Sequence, residues 1–425
     1  MKPRLKRVIF AVVLAVLMVG LLEVGLRILS LASPKVDWML SAAPAFPQPV
    51  PDAHFGHRPD PAHPGHDPRG FRNPGVPPDA HIVALGDSQT YGTGVSAEDA
   101  WPMRLKSITE KRVYSMAFGG YGPVHSLLLW NEVSGLQPGI VIEAFYAGND
   151  LYDSFDIVYN GGKLPALKNP DPQIQAAVHR AEQSEPLMRR VARMSMMEQE
   201  QGSPSQASDN CTLRGLLSDH SKVYGVLRRA KHETARLVRA FAATPQREWE
   251  DAMAFADAHP EFSRALSNEQ FKTILTSEYR LTALRLEDPR IEEGLRIALE
   301  AMRRMHEHAV DEEIRFLVLL LPTKEAVFRE LSKSPSTSYR TLIEQEERVW
   351  TIAKEFLEHH GIEYVDSLPI LREQFGLGTQ PYQVSHDGHP NEVGHQAIAE
   401  LVAARLEDPM ARKPKTRSAE AEEVR

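Results

Sequence analysis

Three short apolar runs constrain this chain most, because each ends in a small polar turn. His81-Ile82-Val83-Ala84-Leu85 runs straight into Gly86-Asp87-Ser88, Val113–Met116 leads to Gly119-Gly120, and Ile140–Tyr146 ends at Gly148-Asn149-Asp150. The runs are too short for helices that bury a face. The segments between them, Ala97–Thr109 and Val124–Ser134, read as helices. Strand, turn, helix, strand, helix, strand closes readily as a parallel sheet covered by its own crossover helices, so the fold class is α/β. In such sheets ligands bind outside the carboxyl ends of the strands, and all three polar turns fall there.

The same grammar returns late in the chain. Leu295, Ala298, Leu299, Met302 and Met305 have helical spacing and form one buried face. Phe316–Leu321 reads as a strand that ends in Pro322-Thr323-Lys324-Glu325. A helix over Tyr339–His359, a fifth strand over Ile362–Val365 and a last helix over Asn391–Leu406 follow. The α/β domain is therefore expected over 79–152 and 290–406. Residues 153–289 interrupt it as a charged helical insertion, with helical patches at Leu213–Arg229 and His232–Phe241 and a flexible break at Gly202-Ser203-Pro204-Ser205. This insertion is expected to form a lid or a partner surface. Residues 407–425 read as a disordered charged tail.

The first residues set the compartment. Lys2, Arg4, Lys6 and Arg7 precede an unbroken apolar run over 8–22, and the apolar character continues past Glu23 and Arg27 to Leu31. That is long enough to cross a bilayer, which takes roughly 20 residues. Glu23 and Arg27 lie on one helix face and can partly neutralise each other. The excess of cations before the run places residues 1–7 in the cytoplasm and the rest in the periplasm or outside. Ser30-Leu31-Ala32 resembles a cleavage site, but a charged pair is unusual at the end of a signal peptide, so 8–31 is expected to be a transmembrane signal anchor. Residues 32–78, rich in Pro and His, read as a linker. Its His54, His57, His63 and His66 are expected to be solvated rather than metal-bound. Net charge is −8, and the basic start leaves about −12 for the remainder, which argues against a nucleic-acid partner. The lone Cys211 excludes an internal disulfide and a Cys-rich metal site. No cofactor motif is present.

Ser88 stands between a buried strand and a helix, where a turn can expose its Oγ. Ser and Asp are also common helix caps, which is the competing structural account of the same residues. The company of Ser88 decides between them. Gly86-Asp87-Ser88-Gln89, Ser115-Met116-Ala117-Phe118-Gly119-Gly120, Gly148-Asn149-Asp150 and Asp387-Gly388-His389-Pro390-Asn391, followed by Gly394-His395, occur in that order. Together they resemble the conserved blocks of the SGNH/GDSL hydrolase family, over about 79–152 and 290–405. The resemblance implies a three-layer α/β/α, flavodoxin-like domain with a central parallel sheet. It also implies Ser88 as nucleophile, His389 as general base and Asp387 as its orienter. The Ser88 backbone N–H, the Gly120 N–H and the Asn149 amide would receive the oxyanion. Two departures bear on these roles. The second block has Ser115 and Ala117 where relatives often carry Asn and Gly. The common family pattern has Asp three residues before His, a position held here by His386, while Asp387 is two before His389. Asp366, just after a strand, is the alternative orienter. Asn149 bridging the turn and His389 capping the last helix are the structural alternatives. Lys324 and Glu325 either border the pocket or form a surface ion pair, and His306 and His308 read as solvated.

The leading functional expectation is an extracytoplasmic serine ester hydrolase working through an acyl-serine intermediate. Its substrate would be an acylated small molecule or a cell-envelope polysaccharide, with the membrane reached through the N-terminal helix. The same site could transfer the acyl group to a sugar hydroxyl, as the short Asp-x-His spacing suggests. The non-enzymatic alternative is an inactive SGNH scaffold that docks partners through its insertion.

Overall fold

The structure, a computed structural model, describes residues 3–41, 47–199, 221–242, 244–332 and 336–408. In chain order its first elements are α1 (Pro3–Ser30), α2 (Pro34–Met39), β1 (Pro49–Asp52), β2 (Gly56–Pro59), β3 (Ile82–Leu85), α3 (Ser88–Tyr91), α4 (Trp101–Thr109), β4 (Val113–Ser115), α5 (Pro123–Leu128), α6 (Trp130–Ser134) and β5 (Ile140–Tyr146). There follow α7 (Asp150–Tyr159), α8 (Pro172–Ser184), α9 (Leu187–Gln199), α10 (Lys222–Ala242), α11 (Pro245–Ala258), β6 (Arg264–Ser267), β7 (Lys272–Leu275), α12 (Ser277–Leu284) and α13 (Pro289–Asp311). The last are β8 (Arg315–Leu321), α14 (Lys324–Val327), α15 (Thr337–His359), β9 (Glu363–Asp366), α16 (Leu368–Gly376) and α17 (Glu392–Glu407). The chain divides into two compact units, one of residues 1–51, 57–75 and 200–245, the other of 52–56, 76–199 and 246–425.

The larger unit is built on a five-stranded sheet in the order β4-β3-β5-β8-β9, with every neighbouring pair parallel. Ile82 lies beside Val113 on one side and Ile140 on the other, and Ile140 beside Arg315. Counting only its own strands, the order is 2-1-3-4-5, so the winding direction reverses between β3 and β5. A crevice opens at such a switch point, beyond the carboxyl ends of the two strands. Alternation along the strands sends side chains to both faces. Ile142, Ala144, Leu317 and Leu319 share one buried cluster with Trp101, Leu105, Ile398 and Val402 of α4 and α17. On the other face Phe145 meets Trp350 of α15 edge-on, with ring centroids 5.6 Å apart. Helices therefore cover both faces of the sheet. β6 and β7 form a separate antiparallel hairpin within the segment read as purely helical.

Several expected elements differ in detail. Val124–Ser134 is two helices that meet at Leu129, not one. Within the described residues, the two helical patches of the insertion are the single helix α10, while Gly202–Ser205, Cys211, Leu213 and most of the charged tail lie outside the described residues.

The smaller unit contains α1, which over Arg4–Ser30 is long and apolar enough to cross a membrane. Among the described residues of 32–78, expected as a linker, are α2, β1 and β2. His66, Asp67 and Phe71 are buried. His66 Nδ1 meets the Asp60 carbonyl at 2.7 Å. Asp67 accepts the Phe71 N–H at 3.2 Å and the Asn73 amide at 3.1 Å. His66 is therefore not solvated as its composition suggested; burial pushes its pKa down to about 4. The sequence offered no periodicity there because the regular elements are only four to six residues long and the stretch around His66 is held by side-chain to backbone bonds.

Candidate active site

The switch point collects the residues singled out in the sequence. β3 delivers Ser88 at the first position of α3, with Asp87 as the cap: Asp87 Oδ1 accepts the Gln89 N–H at 2.8 Å. The loop before α17 delivers His389 and Asp387. His389 Nε2 lies 2.8 Å from Ser88 Oγ, and His389 Nδ1 lies 2.6 Å from Asp387 Oδ1. The same carboxylate oxygen accepts the His389 backbone N–H at 2.9 Å. Ser88, Asp387 and His389 are each partly exposed, so the line of three opens to solvent.

The alternatives left open by the sequence have separate places. Asp366 accepts Lys354 Nζ at 2.6 Å and the Leu368 N–H at 2.9 Å, away from His389. The helix cap of α17 is Asn391, whose Oδ1 accepts from Val393 and Gly394 at 3.1 Å. His395 receives the Trp101 N–H at 3.2 Å and links α17 to α4. His386, at the position where relatives carry Asp, stacks on Phe255 of α11 with centroids 3.7 Å apart.

Around Ser88 the donors are less uniform. A Cβ built on Gly119 would lie 4.0 Å from the Ser88 Cβ, while Gly120 adopts a left-handed φ of 76°. The glycine pair thus turns the backbone beside the serine, with Gly119 as well as the expected Gly120. Asn149 is buried before α7 and donates Nδ2 to Asp153 Oδ2 at 2.8 Å. An amide has a second N–H, so this bond leaves one donor for another acceptor.

A set of buried acids lies under this rim. Asp87, Glu143 and Asp150 are fully buried, and Asp153 nearly so. Burial raises the pKa of each; the negative charges of neighbours add to it at Glu143, Asp150 and Asp153, while the Gln89 N–H and the His389 charge partly offset it at Asp87. Glu143 is pushed up to about 8, by burial first and by Asp87 second. Carboxylates this close in a low dielectric cannot all be ionised. Asp387 goes the other way. Burial would raise it, but the His389 charge, its two hydrogen bonds and nearby Lys324 hold it below the usual carboxylate range.

Lys324, read as a pocket-edge or ion-pair residue, is fully buried. Its Nζ donates to the carbonyls of Gln383, Ser385 and Asp387 at 3.1, 2.6 and 3.1 Å. It therefore holds from beneath the loop that carries Asp387 and His389. Its neighbour Glu325 accepts the Thr276 N–H at 2.8 Å. Gln89 reaches the Gly388 carbonyl at 3.5 Å. Arg280 of α12 lies so close to Gly388 that a Cβ there would collide with its guanidinium. The strand end before Lys324 marked its position but not its role, because its partners are carbonyls far along the chain, and Arg280 carries no local mark. Among the described residues no group of His, Cys, Asp or Glu is placed to hold a metal ion. A cavity of about 750 Å³ lies elsewhere, between the β6–β7 hairpin, Leu331 and Tyr339, and includes neither Ser88 nor His389.

A hydroxyl, an imidazole and a carboxylate in hydrogen-bonded series, beside backbone and amide donors, can activate the hydroxyl as a nucleophile. No family model matches the chain, and no curated protein matches it. Two solved structures are similar in outline. One is a provisionally assigned lipolytic protein of the G-D-S-L family from Desulfitobacterium hafniense DCB-2, with 11% identity, a TM-score of 0.34, and coverage of 76% of this chain and 97% of that one. The other is LAE5, an alpha/beta hydrolase from the metagenome of Lake Arreo, Spain, with 12% identity, a TM-score of 0.33, and coverage of 76% and 94%. Similarity at that level carries no weight for the chemistry, which rests on the distances above.

Proposed function

We propose that this chain is a serine ester hydrolase that works through an acyl-serine intermediate. The observation that carries the reading is the continuous series from Ser88 Oγ to His389 Nε2 at 2.8 Å and from His389 Nδ1 to Asp387 Oδ1 at 2.6 Å. In this mechanism Ser88 Oγ attacks the ester carbonyl while His389 takes its proton. Asp387, ionised across the working range, keeps the Nδ1 proton in place and stabilises the imidazolium. The tetrahedral oxyanion forms beside the Ser88 N–H, the Gly119-Gly120 turn and the Asn149 amide. His389 then returns the proton to the leaving alcohol, the C–O bond breaks, and water repeats the sequence to release the acid.

The four sequence blocks resemble the SGNH/GDSL family, which is why an ester is the substrate class proposed. The apolar α1, preceded by cations, supports a single-pass anchor with the catalytic unit outside the cytoplasm. An enzyme held there fits an acylated small molecule or an acylated envelope polysaccharide. A sugar hydroxyl replacing water as acceptor would use the same residues; product analysis with a polysaccharide acceptor distinguishes the two.

The test is labelling of the full chain in detergent with a fluorophosphonate probe, comparing wild type with Ser88→Ala and His389→Ala. Labelling that disappears in both variants is expected. Labelling that survives Ser88→Ala, or a wild type that never labels while hydrolysing esters, overturns the mechanism.

A further inference from the structure

Glu23 lies in the most apolar helix of the protein, and its carboxylate is fully engaged. It accepts Arg27 Nε at 2.8 Å from its own helix. It also accepts Ser221 Oγ at 3.0 Å, the Lys222 N–H at 3.1 Å and the Val223 N–H at 3.0 Å, all at the start of α10. A second attachment lies just beyond the end of α1. Lys222 Nζ pairs with Asp37 of α2 at 2.7 Å. Arg229 lies over the Trp38 ring at 4.1 Å and donates to the Trp38 carbonyl at 3.1 Å. The start of α10 is thus fixed at one level of α1.

That level has a physical meaning. Counting about 20 residues from Val8, the length needed to cross a hydrocarbon core, ends near Arg27. Glu23 is one helical turn short of that point, where an unpaired carboxylate would be costly. Its four donors remove that cost and leave α10 starting at the boundary between hydrocarbon and headgroups. The composition of α10 suits that boundary. Val223, Val226, Leu227 and Ala230 lie on one side of the helix at spacings of three and four, and the sequence continues the pattern with Leu237, Val238 and Phe241. Lys222, Arg228, Arg229 and Lys231 fall off that stripe, and the sequence of the helix carries six Lys and Arg against a single acid, Glu233. This is a strongly basic helix in a chain of net charge −8. Leu227, on the apolar stripe, is 65% exposed. A basic amphipathic helix whose apolar stripe is open at Leu227 and Ala230 is the kind of element that lies in a membrane interface.

We infer that α10 is an interfacial helix. Its Leu227–Ala230 side enters the acyl boundary of the bilayer that α1 crosses, and Lys231, exposed beside it, pairs with an anionic lipid headgroup on the side of the C-terminal end of α1. The inference rests on the reading of α1 as a membrane anchor, and it gives the anchor a second foot. The partner is the anionic lipid surface itself, reached without a separate recognition protein.

The experiment uses the full chain with Cys211→Ser, reconstituted in vesicles of phosphatidylcholine alone or mixed with phosphatidylglycerol. An environment-sensitive fluorophore is placed by Leu227→Cys or, in a separate protein, by Val16→Cys. Nitroxide-bearing lipids, labelled near the headgroup or near the chain end, report depth. The expected result is quenching at 227 by the shallow nitroxide and at 16 by the deep one. The signal at 227 should strengthen with phosphatidylglycerol, and Lys231→Glu, at an exposed position, should reduce the bound fraction several-fold at low salt. Quenching at 16 with none at 227 overturns the inference and leaves the anchor standing. No quenching at either position overturns both. Quenching at 227 that ignores lipid charge and Lys231→Glu overturns the anionic-headgroup part.

Discussion

Two hydrogen bonds link Ser88 to Asp387 through one imidazole, and they make different demands. The Ser88 bond needs His389 in place; the Asp387 bond needs it in the right tautomer. Asp387→Asn keeps the shape but offers the wrong hydrogen-bonding partner, so kcat should fall by about 10⁴-fold while ester binding changes little; a loss near tenfold would mean another group orients His389. Lys324→Met removes the donor to three carbonyls without shortening the side chain much. A displacement of the loop by about 1 Å should cost about 10²-fold in kcat/KM, with kcat affected more than KM, and Lys324→Arg should recover part of it. Ester turnover kinetics on purified variants check both. Glu143 offers a test of the buried acids through stability. Its folded pKa, about 8, lies above its unfolded value near 4.5, so the folded state holds the extra proton between them. The contribution of this group is therefore fully present below about 4.5 and is lost as pH rises towards 8, by up to about 1.4 kcal/mol per pH unit. Glu143→Gln should flatten that part of the melting-temperature profile and raise the melting temperature at pH 8. An unchanged slope would mean that Glu143 is ionised in the folded chain. Ser88, His389 and Asp387 were legible in the sequence because each follows a strand end or sits in a compact motif. Arg280 was not, and Lys324 was seen only as a pocket-edge or ion-pair residue, since its role depends on which distant carbonyls lie beside it.

Elements show the same division. All five strands of the parallel sheet were readable, the central ones because continuous apolar runs with abrupt polar ends are how strands buried on both faces look. The break at Leu129, the β6–β7 hairpin and the short elements within 32–78 were not, since none is announced by periodicity. Packing between α7 and α13 is a contact that sequence alone would misjudge. Gly294 lies within α13, where alanine is normally better by about 1 kcal/mol. Here a Cβ would overlap the Leu151 carbonyl oxygen of α7. Gly294→Ala should therefore destabilise the protein by about 1–3 kcal/mol, measured by denaturant unfolding. Because α7 begins just after Asn149, the variant should also lose activity at temperatures where it remains folded. A stabilised Gly294→Ala protein would show that the two helices can separate freely.

For the whole molecule, the chain joins two kinds of construction. One unit is an α/β sheet whose switch point holds the candidate site. The other gathers α1, α2, the segment that includes His66, and α10 from distant stretches of sequence. Composition made α1 obvious and gave no hint that α10 returns to it, because that contact depends on Glu23, a residue that by itself reads as a blemish in an apolar run.

The closed arrangement of Asp387 and His389 has a kinetic corollary. One carboxylate oxygen holds both the backbone and the ring of His389, and one ammonium holds the loop below them. Base and orienter thus move together, and they are tied to the serine's element by the hydrogen bond to Ser88, 301 residues away along the chain, and by the long Gln89–Gly388 contact. Gentle warming should therefore separate the hydroxyl from an otherwise intact base, so that inactivation comes as one reversible step ahead of unfolding, with the His389–Asp387 proton still protected from exchange when turnover has already stopped.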